Sequence, residues 1–136
     1  DMPDMPNILG EFARVLKPGG EVFIMVRHPC FFTPGLSFCR SQTGERAGLT
    51  VSRYFGTTPY VDRFSFADRP EDRFEVIRYP YTLSQYMVAL KRSGLLLSDL
   101  QEPTPDDAIC AEHRNLAFWR LHAGIFLFLR GTLKNA

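Results

Sequence analysis

The chain has 136 residues and a mass of 15.6 kDa, which predicts one domain with a single hydrophobic core. Apolar residues make up 45% of it and charged residues 23%, and its formal net charge of +1 lacks the basic excess of a nucleic-acid-binding protein. The apolar runs fall short of the about 20 residues that a membrane-spanning helix needs, and no secretory signal opens the sequence. We therefore predict a cytoplasmic protein with neither a nucleic-acid nor a membrane partner.

The first predicted helix covers residues 7–17, where apolar side chains recur at helical spacing and Asn7 is a suitable N-cap. Pro18 cannot continue the helix, and the two glycines that follow it permit a sharp reversal. Residues 21–27 then contain an apolar run without polar alternation. Such a run predicts a strand that is covered on both faces and is usually parallel to its neighbours.

The middle of the chain is predicted to be an insertion. Residues 29–50 are rich in Gly, Ser, Thr and Pro without periodicity, which predicts a long loop. Strand-like composition follows in three segments, at residues 51–56, 60–67 and 73–79. We expect a small antiparallel excursion here, suited to a lid.

The remainder returns to alternating helices and strands. Thr82 and Gln85 form a capping-box pattern at the start of a helix that ends at Gly94. A strand, a helix and a last strand are predicted at residues 95–100, 106–121 and 125–130. The order predicts an α/β fold with about three core strands. Three buried strands leave an unpaired apolar edge, which predicts a homo-oligomer formed through that edge.

The cysteines indicate neither a disulfide framework nor a metal site. They are three in number and irregularly spaced, as expected of plain thiols in a reducing compartment. The side chains considered as metal ligands are His28, Cys30, Cys39, Cys110 and His113. Only the last two have a usual zinc spacing, and they lie in a predicted helix where residues three apart share a face. We predict no metal site.

Three stretches resemble class I S-adenosylmethionine-dependent methyltransferases of the small-molecule type. The stretch "RVLKPGGEVFIMVRHPCF" resembles the family's turn into its fifth strand and the exit from that strand. The stretch "YPYTLSQYMVALKRSGLLLSDLQEP" resembles its next helix and sixth strand, and "FWRLHAGIFLFLRG" its final, antiparallel strand. The resemblance implies a partial Rossmann-like three-layer sheet with a small antiparallel β insertion. Residues 1–136 would be the carboxyl-terminal part of that domain, with residues 29–80 as the substrate lid.

The resemblance implies S-adenosylmethionine as cofactor, yet the family's glycine-rich cofactor loop is absent. The ten glycines include no Gly-x-Gly pattern. By the same resemblance, Asp1, Met2 and Pro3 lie in the stretch that passes beside the cofactor. We expect the 136-residue chain alone to be inactive.

The acceptor is expected to be a small molecule held by aromatic side chains, because methyl transfer needs positioning and exclusion of water more than covalent help. The predicted binding residues are Phe31, Phe32, Tyr54, Tyr79 and Tyr81, with Phe55 also considered. The alternative is that these rings bury one another under a loop. Arg78 is predicted to contact an anionic group of the acceptor.

His28 follows the first strand and is the candidate general base, since an unperturbed imidazole takes up a proton near neutral pH. Alternatively, its ring caps the strand or bonds to a backbone carbonyl. Cys30 is not predicted to be a nucleophile, because no orienting acid is identifiable. Two functions stay open: the carboxyl-terminal part of a methyltransferase, or a non-catalytic module that self-associates through its open strand edge.

Overall fold

The computed structural model describes residues 2–66 and 69–134. Along the chain the elements are α1 (Met5–Val15), β1 (Glu21–Arg27), β2 (Ser37–Arg40), β3 (Arg46–Thr50), β4 (Tyr60–Phe66), β5 (Arg69–Arg78), α2 (Leu83–Arg92), β6 (Leu95–Gln101), α3 (Asp107–Glu112), α4 (Arg114–His122) and β7 (Phe126–Leu133). The predicted α/β order is confirmed. No helix in the described ranges is long and apolar enough to cross a membrane.

Helix α1 begins earlier than its sequence pattern suggested. Asp4 is the N-cap, and its carboxylate accepts hydrogen bonds from the backbone and side-chain N–H groups of Asn7. The prediction of Asn7 as the cap was therefore wrong, because Asp4 occupies that role and Pro6 fits the first turn. The helix ends before Pro18, and Gly19 makes the reversal with a φ of 74°.

A three-stranded sheet with the order β1-β7-β6 forms the centre of the fold. Strand β7 lies in the middle and is antiparallel to both neighbours, so β1 and β6 point in the same direction without touching. The antiparallel final strand implied by the resemblance is confirmed. The expectation that the first strand pairs with a parallel neighbour is wrong for the described residues, because β1 pairs there with the antiparallel β7.

The hydrophobic core lies on one face of this sheet, under α1 and α2. Its buried side chains are Met5, Leu9, Ile24, Tyr86, Ala89, Leu90, Leu95, Leu127 and Leu129. Gly131 of β7 lets α2 come close, since a Cβ atom there would lie 3.4 Å from Leu90 Cδ2 and 3.2 Å from Val22 Cγ1. The helix stripe and the strand alternation therefore meet in one apolar layer.

The opposite face of the sheet is apolar and exposed. Phe23 and Met25 of β1 are 73% and 58% exposed, and Leu96 of β6 is 52% exposed. The prediction that β1 is covered on both faces is thus wrong within the described residues, and its second edge has no neighbouring strand there. The third layer of the predicted Rossmann-like sheet stays a prediction.

The insertion contains more regular structure than the sequence suggested. The predicted loop at residues 29–50 includes an antiparallel hairpin of β2 and β3, whose turn uses Gly44 at a φ of 83°. The strand predicted at residues 51–56 is wrong, because that segment forms turns. The predicted antiparallel pair that follows is confirmed as β4 and β5.

The last helices agree with the sequence in part. The capping box of α2 is present, with Thr82 Oγ1 accepting from the Gln85 N–H and the Gln85 side chain accepting from the Thr82 N–H. Gly94 follows that helix at a φ of 74°. The single helix predicted at 106–121 is instead divided into α3 and α4, because His113 leaves the helical conformation with a φ of −126° and a ψ of 89°.

Candidate functional site

A cavity of about 340 Å³ lies where β1 ends and β7 begins. The carboxyl end of β1 contributes Val26 and Arg27, and Phe126 opens β7 on the same side. The remaining wall comes from Met2, the segment after β1, Tyr54, the β4–β5 hairpin, and the segment that leads into α2 together with Tyr86 of that helix. Ligands of open α/β sheets bind at the carboxyl ends of strands, so this is the candidate site.

The structure brings together most of the residues predicted to bind the acceptor. Five of them line the cavity: Phe32, Tyr54, Arg78, Tyr79 and Tyr81. Phe31 is not among the lining residues, because its ring packs against His28 at 4.6 Å between centroids.

The residues expected beside a cofactor lie at the same cavity only in part. Met2 lines it. Pro3 is exposed, and its carbonyl accepts a hydrogen bond of 2.9 Å from the Tyr81 hydroxyl. Asp1 lies outside the described residues, so the prediction for it has no structural counterpart.

Two of the cavity tyrosines use their hydroxyls to hold the surrounding elements. Tyr54 accepts the backbone N–H of Leu83 at 2.9 Å, which satisfies a donor at the amino end of α2. Tyr81 accepts the N–H of Met5 at 3.3 Å while donating to the Pro3 carbonyl. Their rings form part of the wall. The Tyr54 hydroxyl joins the insertion to α2, and the Tyr81 hydroxyl joins the segment before α2 to Pro3 and to the amino end of α1.

Replacing Tyr54 by Phe is expected to lower the free energy of unfolding by about 1 kcal/mol, because the Leu83 N–H loses its acceptor. Urea denaturation measures the change. The matched control is Tyr79→Phe, since Tyr79 lines the same cavity and its hydroxyl has no hydrogen-bond partner among the described residues. Equal losses of stability in the two variants would contradict a stabilising hydrogen bond between the Leu83 N–H and the Tyr54 hydroxyl.

A charged cluster that the sequence did not reveal stands at the cavity wall. Arg27 Nη1 lies 2.7 Å from Asp62 Oδ2, and Arg78 Nε lies 3.1 Å from the same oxygen. The Arg27 guanidinium also stacks on the Phe32 ring at 3.9 Å. Asp62 belongs to β4, so the cluster fastens the β4–β5 hairpin to the end of β1.

Two further tyrosines line the cavity and were not predicted. Burial is the main cause that raises the pKa of Tyr60, with Asp62 adding to it and both arginines opposing it. Burial, assisted by Tyr81, raises the pKa of Tyr86 to about 12. Both phenols therefore stay neutral around neutral pH, where they can donate hydrogen bonds but cannot accept a proton as phenolates.

The Tyr86 pKa predicts a loss of stability at alkaline pH. The pKa of Tyr86 is about 12 in the folded state, above the ordinary value of about 10. The stability that the neutral phenol contributes is therefore fully present below pH 10 and is lost as the pH rises toward 12. We expect about 2–3 kcal/mol to disappear across that window, because Tyr86 is 7% exposed and the unfolded chain ionises first.

Denaturation of the wild-type chain and of Tyr86→Phe between pH 9 and 12 measures this effect, and the variant should lose less stability over the range. If the free energy of unfolding fell equally with pH in the wild-type chain and in Tyr86→Phe, Tyr86 would not be the cause of the alkaline loss of stability.

His28 is buried, and both of its ring nitrogens are engaged. Nδ1 accepts the Cys30 backbone N–H at 3.2 Å, so Nε2 carries the proton and donates to Glu102 Oε1 at 2.6 Å. The ring is 3% exposed and does not line the cavity. This geometry does not support the predicted base role, because no nitrogen is left to accept a proton from a ligand. The bond to the Cys30 N–H resembles the alternative in which the ring caps the strand, but the partner of Nε2 is the Glu102 carboxylate and not a backbone carbonyl.

An aromatic cluster holds the rest of the insertion on α4. Phe32 stacks on Trp119 at 4.9 Å, and Phe38 of β2 meets Trp119 edge-on at 5.7 Å. Arg46 stacks on Phe38 and donates to the Asn115 side chain. The alternative that the rings bury one another thus holds for part of the set, while Phe32 also faces the cavity.

The described residues do not by themselves form a site for S-adenosylmethionine. No glycine-rich turn is present to admit a nucleotide-like ligand, and the charged side chains in the described lining are arginines, which repel a sulfonium. No group of three or more His, Cys, Asp or Glu side chains within residues 2–66 and 69–134 is placed to hold a metal.

Two solved structures share this fold. A candidate S-adenosylmethionine-dependent methyltransferase from Listeria monocytogenes has a TM-score of 0.76 at 20% identity, over 96% of this chain and 55% of its own. An S-adenosylmethionine-dependent methyltransferase from Mesorhizobium loti has a TM-score of 0.71 at 22% identity, over 95% of this chain and 55% of its own. No family model and no curated protein matches the sequence. The chain therefore spans about half the length of these structures, with the fold of a carboxyl-terminal portion of an S-adenosylmethionine-dependent methyltransferase.

Proposed function

We propose that this chain is the carboxyl-terminal part of an S-adenosylmethionine-dependent methyltransferase that acts on a small-molecule acceptor. The observation that carries the proposal is the shared fold over 96% of the chain, which leaves much of the neighbour's length without a counterpart here. In this proposal residues 29–80 are the lid over the acceptor, and the cofactor is held mainly by polypeptide outside the 136 residues. No step through the cofactor is assigned to the described side chains.

The exposed sheet face and the open strand edge support the proposal. The outer face carries Phe23 and Met25, and β1 lacks a second neighbour within the described residues. A large exposed apolar surface beside an unpaired strand is typical of a buried interface. Additional strands beside β1, with helices over the outer face, would complete the predicted Rossmann-like three-layer sheet.

The cavity supports the acceptor part of the proposal. It is of small-molecule size, its wall contains aromatic rings, and it opens where β1 ends. In a methyltransferase these rings would position the acceptor and exclude water from the reacting groups. The neutral phenols of Tyr60 and Tyr86 could donate hydrogen bonds that orient it.

Calorimetry with S-adenosylmethionine tests where the cofactor site lies. We expect little or no binding to the 136-residue chain, and binding once the chain is extended by the residues encoded before Asp1. Those residues should contain a strand followed by a glycine-rich loop. Tight binding to the 136-residue chain, or no binding to the extended one, would contradict the proposal.

The same edge favours a second candidate function, a non-catalytic module that self-associates. Under both candidates we expect the 136-residue chain to dimerise or aggregate at micromolar concentration, because the apolar edge of β1 is unpaired within the described residues. Analytical sedimentation measures this. A chain that remains monomeric at high concentration would contradict self-association through the unpaired edge of β1. The extended chain separates the candidates, because the enzyme should become monomeric or gain cofactor binding while the module gains neither.

A further inference from the structure

We propose that the cavity at the end of β1 recognises an uncharged carbonyl oxygen, which accepts a hydrogen bond from the Tyr86 hydroxyl, so that the methyl acceptor is a small aromatic or apolar molecule with a neutral carbonyl group. Naming this ligand the methyl acceptor rests on the proposed function. Recognition of the carbonyl itself does not, because it depends only on the Tyr86 side chain and on the cavity that it lines.

The first support is the concentration of phenol groups around the cavity. The chain has five tyrosines, and all of them line it: Tyr54, Tyr60, Tyr79, Tyr81 and Tyr86. Tyrosine combines an apolar ring with a hydroxyl that can donate a hydrogen bond. A cavity of about 340 Å³ with such a wall suits a small apolar ligand that carries a hydrogen-bond acceptor.

The second support is the hydroxyl of Tyr86. The residue is 7% exposed, and its hydroxyl has no hydrogen-bond partner among the described residues. Within the same ranges, the polar side-chain atom that is both closed to solvent and unpartnered is Arg130 Nε. The Tyr86 hydroxyl is therefore not closed off, and the space that Tyr86 lines is the cavity. Buried donors usually have an acceptor, so this one is suited to bind an acceptor atom of a ligand.

The third support is the rigidity of the donor. The Tyr86 ring belongs to the hydrophobic core and meets the Tyr81 ring edge-on at 6.0 Å. It stands in the first turn of α2, next to Gln85 of the capping box. A donor on a packed ring loses little freedom when a ligand binds, so its hydrogen bond contributes to affinity and orientation. Packing alone does not require the hydroxyl, since a phenylalanine ring has the same shape.

The fourth support concerns the charge of the ligand. Arg27 and Arg78 both pair with Asp62, so an anion would have to compete with that carboxylate for them. Moving an anion from water to a wall of aromatic rings costs far more free energy than moving a neutral carbonyl. Burial raises the pKa of Tyr86 to about 12, so its phenol remains a donor at neutral pH.

The competing explanation is that Tyr86 only fills the core and that the cavity accepts any apolar molecule. Acetophenone and 2-phenylpropene distinguish the two explanations, because they have the same shape and differ only in a carbonyl oxygen that is replaced by a methylene group. Calorimetric titration of the 136-residue chain measures both affinities, and their ratio is compared between variants. In Tyr86→Phe the preference for acetophenone should fall about fivefold, since one hydrogen bond between uncharged groups is lost.

The matched control is Tyr81→Phe. Tyr81 lines the same cavity and packs on Tyr86, but its hydroxyl already donates to the Pro3 carbonyl, so the ratio of affinities should stay unchanged. An unchanged ratio in Tyr86→Phe, or an equal fall in both variants, would overturn the proposal. Tighter binding of benzoate than of acetophenone to the wild-type chain would overturn the uncharged group.

Two further measurements separate binding from folding. Tyr86→Phe should keep the wild-type urea midpoint at neutral pH, because the hydroxyl has no partner among the described residues. A lower midpoint would mean that the protein itself uses the hydroxyl, which would overturn the proposal. The infrared carbonyl band of bound acetophenone should lie at higher frequency in Tyr86→Phe than in the wild-type chain, because a hydrogen bond weakens the carbonyl bond, and an unmoved band would also overturn it. None of these measurements uses S-adenosylmethionine, so their failure is distinct from failure of the proposed function.

Discussion

Replacing Leu90 by Ala is expected to lower the free energy of unfolding by about 2–5 kcal/mol. Leu90 is 1% exposed and lies in the layer between α2 and the central sheet. Its Cδ2 packs over Gly131 of β7, 3.4 Å from the position that a Cβ atom of that residue would take. The shortened side chain leaves a cavity that the sheet cannot fill, because Gly131 has no side chain to move into it.

Urea denaturation measures this loss as a lower midpoint with an unchanged slope. The matched control is Val88→Ala on the same helix, because Val88 is 49% exposed and outside the core. We expect a change within about 0.5 kcal/mol there, as for most surface substitutions. Similar losses in the two variants would mean that α2 does not pack on the sheet through Leu90.

The elements predicted well are those whose signals are local. The start of helix α2 follows from its capping box, and its end follows from Gly94. Strands β1 and β6 follow from short apolar runs after a glycine-containing turn. In each case residues within a few positions of each other determine the conformation, so one sequence carries enough information.

The hairpin of β2 and β3 was missed because distant residues stabilise it. Phe38 of β2 packs on Trp119, and Arg46 of β3 donates to Asn115. These partners lie far along the chain, and strands of four and five residues carry almost no periodicity of their own. A long polar loop and a short docked hairpin therefore have the same sequence pattern.

The sequence predicted the aromatic rings of the site and Arg78, but it did not predict Arg27 or Asp62. Aromatic residues stood out by number, whereas Arg27 drew no attention because its partner Asp62 lies 35 residues away. Only the fold brings β4 against the end of β1. Tyr86 lies inside the helix predicted after Thr82, and the structure shows that this one residue belongs both to the core and to the cavity wall.

Replacing His28 by Ala is expected to lower the free energy of unfolding by about 2–4 kcal/mol, because several contacts are lost together. The Cys30 N–H loses its acceptor, and the ring's contact with Phe31 disappears. Gly124 lies close enough that an added Cβ would be 3.2 Å from the His28 ring, so the site is tightly packed. Urea denaturation measures the loss, and His122→Ala is the control because that histidine is exposed.

A second substitution separates a structural His28 from a catalytic one. In Glu102→Gln the amide oxygen can still accept from His28 Nε2, so stability should fall by less than about 1 kcal/mol. If His28 only joins the end of β1 to the segment after β6, the methyl transfer proposed for the extended protein should also be nearly unchanged. If His28 is a general base oriented by Glu102, the rate should fall many-fold and its pH profile should shift, although the protein stays folded. The engaged Nδ1 and the buried ring favour the first outcome, since a base must reach the proton that it removes.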